Sequence, residues 1–129
     1  MAQVKIYGLR SSLSSRKKAL SDAIHESLME SFGLPKEKRF HRFILLDKDD
    51  FLFPADRSEN YTILEFSIFE GRSAEAKKKL INTLLSRVSA TTGISPQDLE
   101  ITIFETPQAN WGIRGKPGDE LALNYKINL

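Results

Sequence analysis

The chain has no cysteine, which removes disulfide scaffolds, thiolate zinc sites, iron–sulfur clusters and thiol nucleophiles together. It has two histidines, His25 and His41, one within a polar-rich helical stretch and one opening a strand, so no metal site is expected. It lacks a Gly-x-Ser-x-Gly nucleophile elbow. Gly112-Ile113-Arg114-Gly115 is no phosphate cradle either, because no Lys-Ser/Thr follows and it opens no helix. No window approaches the eighteen or so uninterrupted apolar residues of a membrane span, and the amino terminus has no apolar h-region. Charge of one sign is also scarce: 19 Lys and Arg against 17 Asp and Glu leave +2, too little to steer nucleic acid or anionic lipid. The default expectation is a soluble cytoplasmic protein that needs no cofactor and engages neither nucleic acid nor membrane.

What is present is enough for one folded domain. An apolar share of 40% in 129 residues can bury a single core without a staple. The most informative pattern is a duplication, visible when the chain is slid against itself by sixty positions. Leu20 then meets Leu80, Ile24 meets Leu84, Leu28 meets Val88, and Gly33-Leu34 meets Gly93-Ile94. Upstream, Val4 meets Leu64, Ile6 meets Phe66, and Lys17-Lys18 meets Lys77-Lys78.

Each half reads as strand, helix, strand. Val4 to Tyr7 and Ile63 to Phe69 are the opening strands, rich in β-branched and aromatic residues. Ser14 or Ser15 caps the first helix, whose stripe of Leu20, Ile24, Leu28 and Phe32 runs to Gly33 and Pro35. Ser73 caps the second, with Leu80, Leu84, Leu85 and Val88 facing the core before Gly93. The lysine runs beside these stripes are expected to be solvated helix faces. Phe43 to Leu46 and Ile101 to Phe104 close the halves. Two βαβ units, about 2–46 and 61–104, therefore make an α+β domain: a four-stranded sheet with two helices on one face. The connector from Asp47 to Asn60 is too long and polar for a hairpin and is expected to bury Phe51, Leu52 and Phe53 as an anchor. Residues 107–118 form a Gly/Pro-broken loop. Leu121, Leu123, Tyr125, Ile127 and Leu129 alternate with polar residues as a final strand over 120–129. The sheet face without helices needs a cover, so self-association is expected, with the tail as a cross-subunit strand. A ferredoxin-like module has the same element order, but the long connector and the absence of a paired aromatic platform argue against it.

The tandem βαβ plan, with Phe32-Gly33-Leu34-Pro35 closing the first helix, Gly71-Arg72-Ser73 opening the second and Asn110-Trp111 in the late loop, resembles the tautomerase superfamily. Within it, the malonate semialdehyde decarboxylase-like branch is most similar. The resemblance spans nearly the whole chain and implies a homotrimer with sites at the amino-terminal ends of the first strands. It implies that the catalytic group is an amino-terminal proline exposed by loss of the initiator methionine; here that position is Ala2. Alanine permits methionine removal, and a free α-amine needs only a modest shift from a pKa near 8 to act as base or acid.

Arg72 matches a substrate-binding arginine of the family, and its planar fork suits a carboxylate or enolate. Its other reading is a solvated arginine pairing with Glu75 or Glu70. Trp111 matches an aromatic wall of the pocket, with subunit packing as its alternative, and Arg114 offers a second positive charge. Two positions depart from the decarboxylase pattern: Glu70 stands where that branch has a second arginine, and Lys38, beside Glu37, stands where it has an acid. These departures argue against decarboxylation and against dehalogenation by an activated water. The expected function is keto–enol tautomerisation of a small anionic oxo-acid by Ala2 and Arg72, with Arg114 and Trp111 binding substrate. The alternative is a trimeric member without turnover that binds a small anion or serves a structural role.

Overall fold

The computed structural model describes residues 2–128, and its centre is an antiparallel seam between the two halves. Strand β1 (Ala2–Leu9) lies antiparallel to β3 (Thr62–Phe69), with Ala2 opposite Ile68 and Gly8 opposite Thr62. Strand β2 (Phe40–Leu46) runs parallel to β1, and β4 (Leu99–Thr106) runs parallel to β3. The order is therefore β2-β1-β3-β4. Because β2 and β3 are not neighbours, the ferredoxin-like alternative is excluded. Helices α2 (Lys17–Phe32) and α3 (Ala74–Thr92) form the second layer.

The sixty-residue offset holds in three dimensions. Ala2–Leu9 and Thr62–Phe69 share one alternation of burial. Val4, Ile6, Leu64 and Phe66 point into one core, where they meet Leu20, Ile24 and Leu28 from α2 and Leu80, Leu84 and Val88 from α3. Each helix stops at a glycine in the left-handed region, Gly33 at φ 66 and Gly93 at φ 78, and the following Leu34 and Ile94 are buried. Removing this much apolar surface from water is the main stabilising term of a domain this size.

Three expectations need correction. Ser73 caps α3 by accepting from the Ala76 amide at 3.1 Å, but neither Ser14 nor Ser15 caps α2. A four-residue helix, α1 (Arg10–Leu13), intervenes; Ser14 Oγ donates back to the Arg10 carbonyl at 2.7 Å, and α2 starts after Arg16 without a side-chain cap. In the connector, Phe51 and Phe53 pack on Tyr61, whereas Leu52 stays 89% exposed, because the chain is extended at Phe51 and successive side chains there point to opposite sides. The tail forms no strand over residues 121–128, since it finds no ladder partner among the described residues of its own chain. Its alternation survives as burial, with Leu121, Leu123, Tyr125 and Ile127 half-buried and their neighbours exposed. Leu129, the last residue of that expected strand, lies outside the described residues, as does Met1.

The sheet face opposite the helices carries Gln3, Lys5 and Tyr7 from β1, Phe40, Arg42 and Ile44 from β2, Ile63, Glu65 and Ser67 from β3, and Glu100, Thr102 and Phe104 from β4. It is mixed rather than apolar, with Phe40 and Phe104 exposed.

The equivalence of the two caps is measurable. A Cβ at Gly33 or Gly93 meets nothing within 4 Å, so alanine there is strained by backbone conformation alone. Each replacement is expected to cost about 1 kcal/mol in urea-induced unfolding, with similar values in the two halves.

Candidate active site

The central seam carries the start of the chain to the end of β3, where the chemistry-bearing residues gather. Ala2 is buried against the core at 2% exposure and lies opposite Ile68. One residue further along β3 is Phe69, whose carbonyl accepts a hydrogen bond from Arg72 Nη1 at 3.1 Å. The Arg72 guanidinium lies over the Phe32 ring, 4.6 Å from its centroid, and the residue is only 5% exposed. It is therefore not the solvated arginine of the alternative reading. Burial holds its pKa down to about 10, opposed by the negative charge of Glu105, so it stays cationic at neutral pH. Its Nε and Nη2 are buried without a hydrogen-bond partner among the described residues. The residue stands just before the positive end of the 19-residue α3, and a buried cation with donors to spare is the kind of group that an anion would satisfy.

Trp111 packs edge-on to the Phe69 ring with centroids 5.1 Å apart, and its Nε1 donates to Thr106 Oγ1 at 2.6 Å. Arg72 and Trp111 thus meet the same residue, one at its carbonyl and the other at its ring. Arg114 sits further out. It is exposed in the turn of a small hairpin, β5 (Gly112–Ile113) and β6 (Lys116–Pro117), where Arg114 and Gly115 both take positive φ. It lines a separate cleft of about 260 Å³ with Glu37, Lys38 and tail residues 122–125, and neither Arg72 nor Trp111 borders that cleft. The tail also reaches the Arg72 neighbourhood. At Gly71, where φ is 132, a Cβ would come within 2.7 Å of Asn128 Oδ1.

Two contributors escaped sequence reading. Lys77, expected to belong to a solvated run, instead donates from Nζ to Glu105 Oε1 at 2.6 Å in a half-buried pair. The signal was available: Lys77 lies three residues before Leu80 on the buried stripe, and Glu105 continues the inward alternation of Ile101 and Ile103. Phe32, read as core, is also the aromatic floor under Arg72, a tertiary fact with no sequence signal.

The duplication creates a second, equivalent sheet end, where polar side chains pair with one another beside a cleft of about 560 Å³ lined by Leu9, Arg10, Ser11, Leu46 and Asp47. Thr62 stands where Ala2 stands in the other half, and Ser12 where Arg72 stands. Ser12 Oγ and Arg16 Nη1 both donate to Asn60 Oδ1 at 2.8 Å, while the connector packs Phe51 and Phe53 onto the adjoining Tyr61.

The two histidines do come together, with ring centroids 6.0 Å apart between α2 and β2. Among the described residues no group of three or more His, Asp or Glu side chains gathers as a metal site. His25 Nε2 is 2.8 Å from the Lys36 carbonyl and therefore carries a proton. His41 Nδ1 meets Ser21 Oγ at 2.7 Å.

Among the described residues no helix is long and apolar enough to cross a membrane. A sequence family described as "Tautomerase enzyme" matches residues 38–114, more than half of the chain. "Probable tautomerase YusQ" of Bacillus subtilis (strain 168) is 24% identical over 97 residues, covering 71% of this chain and 76% of that protein. Among solved structures, malonate semialdehyde decarboxylase superposes with a TM-score of 0.80 at 23% identity, covering 92% of this chain and 99% of that one. A fused 4-OT solved as an asymmetric trimer gives 0.79 at 19% identity, covering 91% of this chain and 96% of that one. These two share the fold described above.

The histidine pair sets an acid limit on stability. Burial, reinforced by the neighbouring His25 and Arg39 and opposed by Asp22, lowers the pKa of His41 from 6.5 to about 4. The folded state thus resists a proton that the unfolded chain accepts, so stability is full above pH 6.5 and declines as pH falls toward 4. Thermal unfolding across that window should show a shallower slope in His41→Gln than in the unsubstituted protein. The loss below pH 4, where Asp22 held near 2 by Lys18 and Arg39 takes up its proton, should persist.

Proposed function

The chain belongs to the tautomerase family, and from that premise we infer that it interconverts the keto and enol forms of a small oxo-acid at the end of β3. The observation that carries this reading is Arg72: a guanidinium buried on Phe32 with Nε and Nη2 unpartnered, beside the strand end that receives Ala2.

In this reading, removal of Met1 leaves a free amine on Ala2. The neutral amine takes a proton from the carbon next to the keto group, and the electron pair moves onto the carbonyl oxygen. Arg72 holds the anionic end and stabilises the enolate charge through its free N–H groups. The resulting ammonium returns the proton to the enolate oxygen, completing the enol and restoring the amine. Trp111 shields the site from water, which strengthens these interactions, whereas Arg114, exposed on a separate cleft, takes no part in this reading. The assembly is a homotrimer that covers the mixed sheet face; the fused 4-OT trimer is the fold neighbour that supports it.

A second reading is a trimeric member that binds an anion without turnover. It is favoured by the primary amine of Ala2 standing where the family resemblance calls for a proline.

Intact mass spectrometry, light scattering and an enol–keto assay with phenylpyruvate and 2-hydroxymuconate separate the two. The tautomerase reading expects loss of one methionine mass, a trimer, and turnover that falls at least about a hundredfold in Arg72→Ala, the scale of losing a charge-assisted contact in a buried site. Absence of turnover with a verified free Ala2 amine, together with a phenylpyruvate-induced rise in melting temperature that Arg72→Ala abolishes, establishes the binding reading instead.

A further inference from the structure

The two unpartnered nitrogens of Arg72 pose a physical question, because a carboxylate is close enough for its charge to act on the guanidinium. Glu105 is that group: the β3–β4 register sets it opposite Ile68, one residue before the Phe69 carbonyl that Arg72 Nη1 holds. It projects inward from β4, where residue 105 continues the side of Ile101 and Ile103. A buried guanidinium ordinarily takes such a carboxylate in a two-pronged bridge, and a water-poor setting strengthens the pairing. No such bridge forms. The Glu105 carboxylate is instead engaged by Lys77 at 2.6 Å, with the two side chains 30% and 25% exposed. Lys77 is fixed there by the first turn of α3, where its amide donates to the Ser73 carbonyl at 3.2 Å.

We propose that Lys77 is a positioning residue for the anion site: by holding Glu105, it keeps Arg72 Nε and Nη2 free for the carboxylate of a small oxo-acid. The proposal rests on the reading of Arg72 as the anion binder and adds to it an internal competitor and the residue that restrains it. Without the lysine, Glu105 turns to Arg72 and occupies the donors that substrate would use. Substrate must then displace a tethered carboxylate, which weakens binding far more than the chemical step.

The test uses the full chain with Lys77→Met, Glu105→Gln and the pair combined, and Lys77→Arg as the charge-retaining control. Nitrogen–proton spectra of the arginine Nε–Hε groups, with the Arg72 signal assigned by its loss in Arg72→Lys, are recorded without ligand. Phenylpyruvate kinetics are measured in parallel. In Lys77→Met the Arg72 signal should shift and exchange more slowly with water; in the combined variant it should return toward its original position. KM should rise about tenfold in Lys77→Met, recover in the combined variant and stay near its original value in Lys77→Arg, with kcat changing much less.

A purely structural ion pair predicts the opposite, since the combined variant lacks the pair just as the single one does and recovers nothing. An unmoved Arg72 signal in Lys77→Met, or no recovery on adding Glu105→Gln, overturns the proposal. If Lys77→Met fails to fold, Lys77→Gln is judged by the same two criteria. Should the Arg72 signal respond as stated while the unsubstituted protein neither turns over nor binds phenylpyruvate, the restraint on Glu105 is upheld and the oxo-acid reading falls.

Discussion

The antiparallel register between β1 and β3 is the constraint on which the rest of this molecule depends. It joins two copies of a βαβ unit back to front, and so places the beginning of one copy against the end of the other. Ala2 reaches Ile68 for this reason, and the residues after β3, which turn into the positive end of α3, come to lie beside the chain start. A slip of one residue would exchange the faces of β1, putting Val4 and Ile6 into water and Lys5 into the core. The core that resists this slip is the same one that holds the site together, because Phe32 closes the core at the end of α2 and also carries the Arg72 guanidinium.

A duplicated fold offers two equivalent sheet ends, and side-chain chemistry distinguishes them. At one end a buried cation keeps two donors free. At the other, Ser12, Arg16 and Asn60 satisfy one another beside an open cleft of about 560 Å³. An uncompensated buried guanidinium is expensive; the structure tolerates Arg72 through the Phe32 ring, the Phe69 carbonyl and the field of Glu105. In the proposed reading, a bound anion would relieve this cost.

Much of this was readable in one dimension. The sixty-residue repeat located the two opening strands and both long helices, because burial of equivalent positions demands equivalent apolar residues, and short apolar runs located the two closing strands. Gly33 and Gly93 marked the helix ends, since few other residues tolerate the left-handed conformation there. Arg72 and Trp111 were singled out by the family resemblance that Gly71-Arg72-Ser73 and Asn110-Trp111 carry. Less was read correctly where local signals competed: serines at 14 and 15 looked like caps, yet the chain inserted a short helix ahead of them. The alternating tail looked like a strand, but a ladder needs a partner edge, and none among the described residues of this chain serves it. Lys77 looked like one of three surface lysines, although its spacing from Leu80 placed it on the inner stripe.

The amino-acid order by itself determined the repeat, the layering and the two helix stops, because those follow from the periodic placement of apolar side chains and from residues with restricted backbone conformations. Only the tertiary structure decided which of two equivalent ends holds an open cation, that Phe32 lies beneath it, and that Glu105 bonds to Lys77 rather than to Arg72. Those outcomes depend on distances between residues far apart in the chain, and a competition between two cations for one carboxylate has no signature in sequence spacing.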